Sequence, residues 1–306
     1  MNIDIIAGAR PNFIKIGPII DALIKAKKNN QNLSFRLIHT GQHYDNNMSN
    51  TFFKELNIPE PNFNLNCGGG SQAEQTGKIM VAYENLLKTD SEKRDICIVV
   101  GDVTSTLACS IVAKKNGQKI VHVEAGLRSN DLKMPEEINR IVTDSITDYF
   151  FTTSEIANKN LINEGVLSEN IFFVGNTMID SLIKNKNKFK KPKIWEEYSL
   201  KKNNYLVLTI HRPSNVDNKD KLLHLINVIT RNSNNKKIIF PVHPRTKQNL
   251  GFNTKISNLI ISNFSLASSA FFAVVTKKLF SSRYCFTSSL ILSSSCSLKR
   301  IHLFRF

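Results

Sequence analysis

Residues 121–140 read VHVEAGLRSNDLKMPEEINR, and the rest of the chain is organised around them. The mostly apolar run 119–123 has the composition of a buried strand, and it passes directly into Glu124, a glycine turn at Gly126 and Arg128. A polar loop then leads to Pro135, a residue suited to the first turn of a helix because the amide it lacks would have no intrahelical partner there. Charged residues therefore collect where a strand ends and a helix begins. In an open parallel α/β sheet that is the crevice where ligands bind, since strand-end loops and amide-rich helix starts converge there. A helix starting at Pro135 places Glu136 and Arg140, four positions apart, on one face, with Glu137 turned roughly 100° away. Taken alone, the pattern fits an ordinary helix-start acid with an i,i+4 ion pair equally well.

Outward from this stretch, strand and helix alternate. Residues 3–7 form a short strand, and 13–27 read as an amphipathic helix through Ile14, Ile16, Ile19, Ile20, Leu23 and Ile24. Arg10 and Lys15 fall at that strand end and first helical turn. Cations there oppose the helix dipole, so two of them predict an anion in the gap. Residues 33–40 form the next strand, Gln42 and His43 in the loop after it are expected to line the cleft, and a helix is expected at about 48–56. The spacing of His39 and His43 is that of a helical metal pair, but one lies in a strand and the other past its end, so no metal site is assigned. The glycine-rich segment 67–77 lacks both nucleotide-loop orders and is read as a loop, with Ser71 and Glu74 forming a capping box for the next helix. Residues 95–100 are a strand of the buried parallel type, ending in GDVTST before a helix to 115. Asp102 sits at its carboxyl end. Thr104 or Ser105 could cap that helix equally well, which leaves Asp102 free for chemistry.

Beyond residue 140 the alternation continues through strands at 149–152 and 171–174, giving a doubly wound parallel sheet over residues 1–183. The lysine-rich run 184–193 reads as a linker. A second α/β domain then begins, with strands at 205–210 and 237–242 that end in His211 and His243.

The net charge of +16 would ordinarily point to nucleic acid or an anionic membrane. Its distribution argues otherwise. All 25 acidic residues lie at or before Asp220, a span with 28 of the 41 Lys and Arg and so a net charge of 28 − 25 = +3. The basicity belongs to the end of the chain, and no nucleic-acid or membrane partner is assigned. The five cysteines have neither zinc nor disulfide spacing and are read as buried free thiols. The N-terminus begins directly as a strand with no signal-peptide pattern, so the protein is read as cytoplasmic.

Seven segments occur in one order and spacing: GARPNFIK at 8–15, TGQHYD at 40–45, VGDVTST at 100–106, HVEAGLRS at 122–129, PEEINR at 135–140, GNTMID at 175–180 and HRPSNVD at 211–217. Together they resemble the non-hydrolysing UDP-N-acetylglucosamine 2-epimerases, from residue 1 to about 250. The resemblance implies two Rossmann-like domains of the GT-B type, a UDP-sugar substrate, homodimers and no cofactor. It implies acid/base or catalytic roles for Asp102, Glu124, Glu136 and His211. It also implies substrate contacts from Arg10, Lys15, Gln42, His43, Arg128, Arg140, Arg212 and His243, with His211 and Arg212 facing the first domain across the cleft.

After Gly251 there is no Gly, Pro, Asp or Glu, while Ser, Phe, Leu and Lys crowd together. The family's later motifs, a Ser-Gly-Gly phosphate loop, a ribose-holding Glu and a returning helix, are not found there. The expectation is a partial second domain over 194–250 and an aberrant tail over 251–306, as a frame disruption would produce, with impaired activity and open edges on strands 205–210 and 237–242. A hydrophobic anchor fits less well, because polar residues interrupt every apolar run before ~18 residues. Three other functional readings stay open: a hydrolysing epimerase, a glycosyltransferase of the same architecture, and a ligand-binding or inert fragment.

Overall fold

Near-continuous apolar runs need cover on both faces, and the first unit, Met1–Lys184, is built to give it. The computed structural model describes residues 1–29, 32–41, 58–188, 191, 193–210, 213–242, 244–251, 256–263 and 302–305. Strands β1 (Asn2–Ala7), β2 (Ser34–His39), β3 (Phe63–Asn64), β4 (Ile96–Val100), β5 (Lys119–Ala125), β6 (Tyr149–Thr152) and β7 (Ile171–Phe173) form one sheet in the order β3-β2-β1-β4-β5-β6-β7. Every pairing in it is parallel. Chain direction across the sheet reverses between β1 and β4, which makes that gap the topological switch point.

Helix α1 (Arg10–Asn29) buries Phe13, Ile16 and Ile20 against Ile5, Leu37, Val100 and Val123 on one face. Helices α2 (Gln72–Thr89) and α3 (Thr104–Lys115) cover the other, with Ile79, Tyr83, Ala108 and Cys109 against Ile6, Ile38, Val99 and Ile120. The unit is completed by α4 (Pro135–Ile146), α5 (Glu155–Asn163) and α6 (Thr177–Asn185). Cys67, Cys97 and Cys109 are buried and free, as expected. The Ser71–Glu74 capping box forms at the start of α2. At α3 the expectation fails: the N-cap is Val103, without a side-chain cap, because Thr104 reaches Gln72 and Ser105 pairs with Thr40. The helix expected at 48–56 lies outside the described residues.

The second unit, Asn185–Phe306, contains α7 (Ile194–Glu197), β8 (Tyr205–Thr209), α8 (Pro213–Val216), α9 (Lys219–Arg231), β9 (Lys237–Val242), α10 (Pro244–Leu250), β10 (Leu259–Asn263) and β11 (His302–Arg305). Its sheet runs β10-β9-β8-β11, parallel except for β11. Asn218 caps α9, whose Leu222, Leu225, Ile226 and Ile229 are buried. Two expectations need correction. The sheet continues past residue 250 through β10, and β8 and β9 each have a strand on both sides instead of an open edge. The expected linker is also helical at its start, since α6 runs to Asn185 and a 3-10 turn follows at Lys186–Lys188. No helix among the described residues is long and apolar enough to cross a membrane.

Inside α1, Pro18 cannot donate the amide hydrogen bond that the Ile14 carbonyl would otherwise accept. The Ser181 hydroxyl on α6 donates to that carbonyl instead, at 2.5 Å, and so ties the end of the unit to its first helix. Ser181→Ala is expected to destabilise the protein by about 1–2 kcal/mol through an unpaired carbonyl. Adding Pro18→Ala, which restores the helix's own amide, is expected to recover most of that loss, and denaturant unfolding of the two single variants and the double variant measures the coupling.

Candidate active site

At the switch point, the loop after β1 is closed by a single side chain. Asn12, 2% exposed, accepts from the Gly8 and Ala9 amides at 3.1 and 2.9 Å and donates to the Val100 carbonyl at 2.8 Å. The loop is thereby fastened to the end of β4, and those two amides are already occupied. The anion expected between Arg10 and Lys15 has no amide cradle at Gly8 and Ala9.

Lys15 points from α1 to Glu124, with which it forms an ion pair in which both side chains are under one-fifth exposed. Glu124 owes its direction to a β-bulge. Val123 pairs with Phe151 and Ala125 with Thr152, so Glu124 is the extra residue, at φ 72°. A bulge re-aims one side chain without ending the strand, and a non-glycine residue at positive φ is strained enough to mark a functional position. The pair lies against Gly101 (φ 71°), where an added Cβ would sit 3.0 Å from Lys15 Nζ and 3.4 Å from Glu124 Oε2.

Beside it is a second charged group. Arg140 Nη1 reaches Asp102 Oδ2 at 2.5 Å, while its Nε and Nη2 donate to Glu137 Oε2 at 2.8 and 2.5 Å. The other Glu137 oxygen accepts the Ser129 and Asn130 amides, both at 2.8 Å, and Asn139 donates to the Asp102 carbonyl at 2.8 Å. Burial pushes the Glu137 carboxyl up, but the Ser129 amide, Arg140 and the Asn130 amide together hold it below the usual carboxylate range.

The ion pair of Glu136 with Arg140, one of the two readings open for this helix start, is replaced by pairs of Arg140 with Asp102 and Glu137. Positions three apart are helical neighbours too, and Glu137 is the one turned inward, at 1% exposure, while Glu136 is exposed on the first turn of α4. Arg128, expected to contact substrate, is paired with two acids. Its guanidinium is buried between Asp144, at 2.7 Å, and Glu164, at 2.5 Å.

Gln42, His43, His211, Arg212 and His243 lie outside the described residues, as does the side chain of Arg10, whose backbone opens α1. Of the expected residues, the structure brings together Lys15, Asp102, Glu124 and Arg140. Asn12, Glu137 and the buried pair His122–Asp144, 2.6 Å apart, were missed by sequence reasoning. The signal for His122 was its position inside an apolar strand, where a polar side chain must find a buried partner.

Two cation–carboxylate groups on adjacent strand ends can hold an anion and exchange protons in one place. Glu137→Gln is expected to cost about 1–3 kcal/mol at neutral pH, because it weakens the buried acceptor of Arg140 and two amides. Glu136→Gln is expected to stay within about 0.5 kcal/mol of the parent. Because the folded-state carboxyl of Glu137 titrates below its ordinary value, its contribution is present above the ordinary carboxylate pKa and is lost as pH falls through the depressed one. Denaturant unfolding at several pH values checks all three expectations.

The sequence profile of the UDP-N-acetylglucosamine 2-epimerase family matches residues 25–293, past the point near 250 where the motif resemblance stops. The chain is 44% identical over 255 residues to the UDP-N-acetylglucosamine 2-epimerase of Methanocaldococcus jannaschii, covering 82% of this chain and 68% of that protein. It is 37% identical to a UDP-2,3-diacetamido-2,3-dideoxy-D-glucuronate 2-epimerase of Pseudomonas aeruginosa, over 81% of this chain and 68% of that protein. Its structure is similar to that of the M. jannaschii UDP-GlcNAc 2-epimerase solved with UDP-GlcNAc and UDP, with a TM-score of 0.76 and 40% identity over 90% of this chain and 76% of that one. With its doubly wound GT-B-type fold and a profile match over most of its length, the chain belongs to the UDP-N-acetylglucosamine 2-epimerase family of isomerases.

Proposed function

We propose that the chain reversibly inverts C2 of the sugar in UDP-GlcNAc to give UDP-ManNAc, a source of ManNAc units for surface polysaccharide. The C2 proton is not acidic, because C1 is not a carbonyl carbon. Its removal becomes feasible when the C1–O bond to UDP breaks with it: the C–H electron pair forms the C1=C2 bond and the C1–O pair leaves on UDP. The products are UDP and 2-acetamidoglucal. A proton then reaches the opposite face of C2 and UDP adds back to C1. Asp102 and Glu124 are the proposed proton-transfer groups, joined by Glu136 and His211 on the family resemblance. Lys15 and Arg140 supply positive charge where the departing diphosphate develops its negative charge. Homodimerisation, implied by the same resemblance, belongs to this reading.

The observation that carries the proposal is the convergence of Lys15–Glu124 and Asp102–Arg140 at the switch point of the first sheet. Incubation with UDP-GlcNAc in heavy water is expected to place deuterium at C2 and give UDP-ManNAc with the diphosphate ester retained in the phosphorus NMR spectrum. Stoichiometric release of UDP with free ManNAc would instead identify a hydrolysing enzyme. Because one relative carries the name of a diacetamido-glucuronate epimerase, the corresponding UDP-2,3-diacetamido sugar is the competing substrate. Faster turnover of that compound would move the substrate assignment. Glu124→Gln and Asp102→Asn are each expected to slow C2 exchange by about 10²- to 10⁴-fold while leaving UDP affinity largely unchanged. Undiminished exchange in both variants would clear the two carboxylates of the role.

A further inference from the structure

His122 lies in β5 with 0% exposure, and both ring nitrogens face acceptors. Nε2 is 2.8 Å from the Gly101 carbonyl oxygen, which can only accept, so Nε2 carries a proton. Nδ1 is 2.6 Å from Asp144 Oδ1. The other Asp144 oxygen accepts from the Gly126 amide at 3.1 Å and lies 2.7 Å from Arg128 Nη1. A guanidinium at that distance favours the ionised carboxylate, and an ionised carboxylate only accepts, so Nδ1 carries a proton as well.

We propose that His122 is a positioning residue held as an imidazolium, whose two N–H donors clamp the Gly101 carbonyl, and with it the turn that carries Asp102, onto Asp144. The role rests on Asp102 acting in the site proposed above. The clamp joins three elements. Gly101 follows β4, His122 is in β5, and Asp144 is in α4, one turn beyond the Arg140 that holds the Asp102 carboxylate.

The charges around the ring are arranged for this state. Burial opposes a charged imidazole, but Asp144 from α4, the Gly101 carbonyl and Glu124 on β5 outweigh it and raise the ring above its ordinary value. Arg128, the like charge on the same carboxylate, is itself paired with Glu164 at the end of α5, and Lys15 from α1 is paired with Glu124. A raised folded-state value means that the clamp's stability is fully present below the ordinary imidazole pKa and is lost as pH rises through the folded one. Loss of the Nε2 proton leaves two acceptors facing each other across 2.8 Å and releases the turn.

Nitrogen-15 NMR of the chain, titrated upward from about pH 6, tests this without any turnover. The His122 signals are assigned by their loss in His122→Gln or, if that variant does not fold, by contacts from the ring protons to Gly101. The expected result is a His122 ring still protonated at a pH where an ordinary histidine is already mostly neutral, with the Gly101 carbonyl carbon titrating at the same midpoint. A neutral His122 ring at that pH, or a Gly101 carbonyl indifferent to its titration, would overturn the proposal. Where C2 exchange is measurable, His122→Gln is expected to lower kcat on the order of 10- to 100-fold, to change KM less than about threefold and to abolish the alkaline limb set by His122. An unchanged kcat with the same alkaline limb would also overturn it. The NMR result stands even if the epimerase assignment fails, so the two failures are distinguishable.

Discussion

The candidate site depends on one local constraint, the bulge that turns Glu124 out of register at the end of β5. With regular pairing, a residue between Val123 and Ala125 would take its alternating place on a sheet face. Holding it at φ 72° sends the carboxylate toward Lys15 and the Gly101 turn. Such a conformation costs on the order of 1–3 kcal/mol and persists only where the surroundings fix it. Here they do so tightly. Gly126, two residues on, donates to Asp144 and accepts from Asn160, and an added Cβ there would meet the Ala157 carbonyl at 2.5 Å.

Asp144 is the hub that makes this arrangement rigid. It takes hydrogen bonds from His122 and the Gly126 amide and an ion pair from Arg128, and His122 and Arg128 hold it below the usual carboxylate range against the opposing effect of burial. Charges buried this deeply destabilise a fold unless every one is paired, and in this cluster each is. A comparable solution appears elsewhere in the same sheet, where Asp4 on β1 is met by Arg36 at 2.6 Å and by the Tyr83 hydroxyl at 2.7 Å. Removing one partner from either cluster strands a charge in a dry interior, so these residues constrain one another more strongly than neighbouring apolar ones do.

Above the hub, geometry divides the carboxylates by role. Glu137 is committed to Arg140 and two amides, and it orients the guanidinium whose remaining arm reaches Asp102. Asp102 remains about one-third exposed and Glu136 faces outward, so these two, unlike Glu137, can meet a ligand. The distinction between Glu136 and Glu137 turns on which of them the Ser129–Asn130 turn captures.

The strand–helix alternation, the doubly wound first sheet and the placement of Asp102, Glu124 and Arg140 at strand ends or helix starts were legible in the sequence. Each follows from local rules: apolar runs of strand length, proline and glycine punctuation, and the alternation of a parallel sheet. Past residue 250 the same rules gave no strand, whereas β10 follows a turn at Asn258 (φ 65°) and pairs with β9. The pairings of Arg140 with Glu137 and of Arg128 with Asp144 and Glu164 were out of reach of those rules. Asp102, the remote partner of Arg140, and Glu164, the partner of Arg128, are distant in the chain, the choice of Glu137 over Glu136 is made by the Ser129–Asn130 turn, and no periodicity records the position of the bulge. The sequence alone determined most of the elements of the first unit and which charges stand at their ends. The tertiary structure decided which of those charges are spent on one another and which remain to face a ligand, because burial makes an unpaired charge too costly to keep.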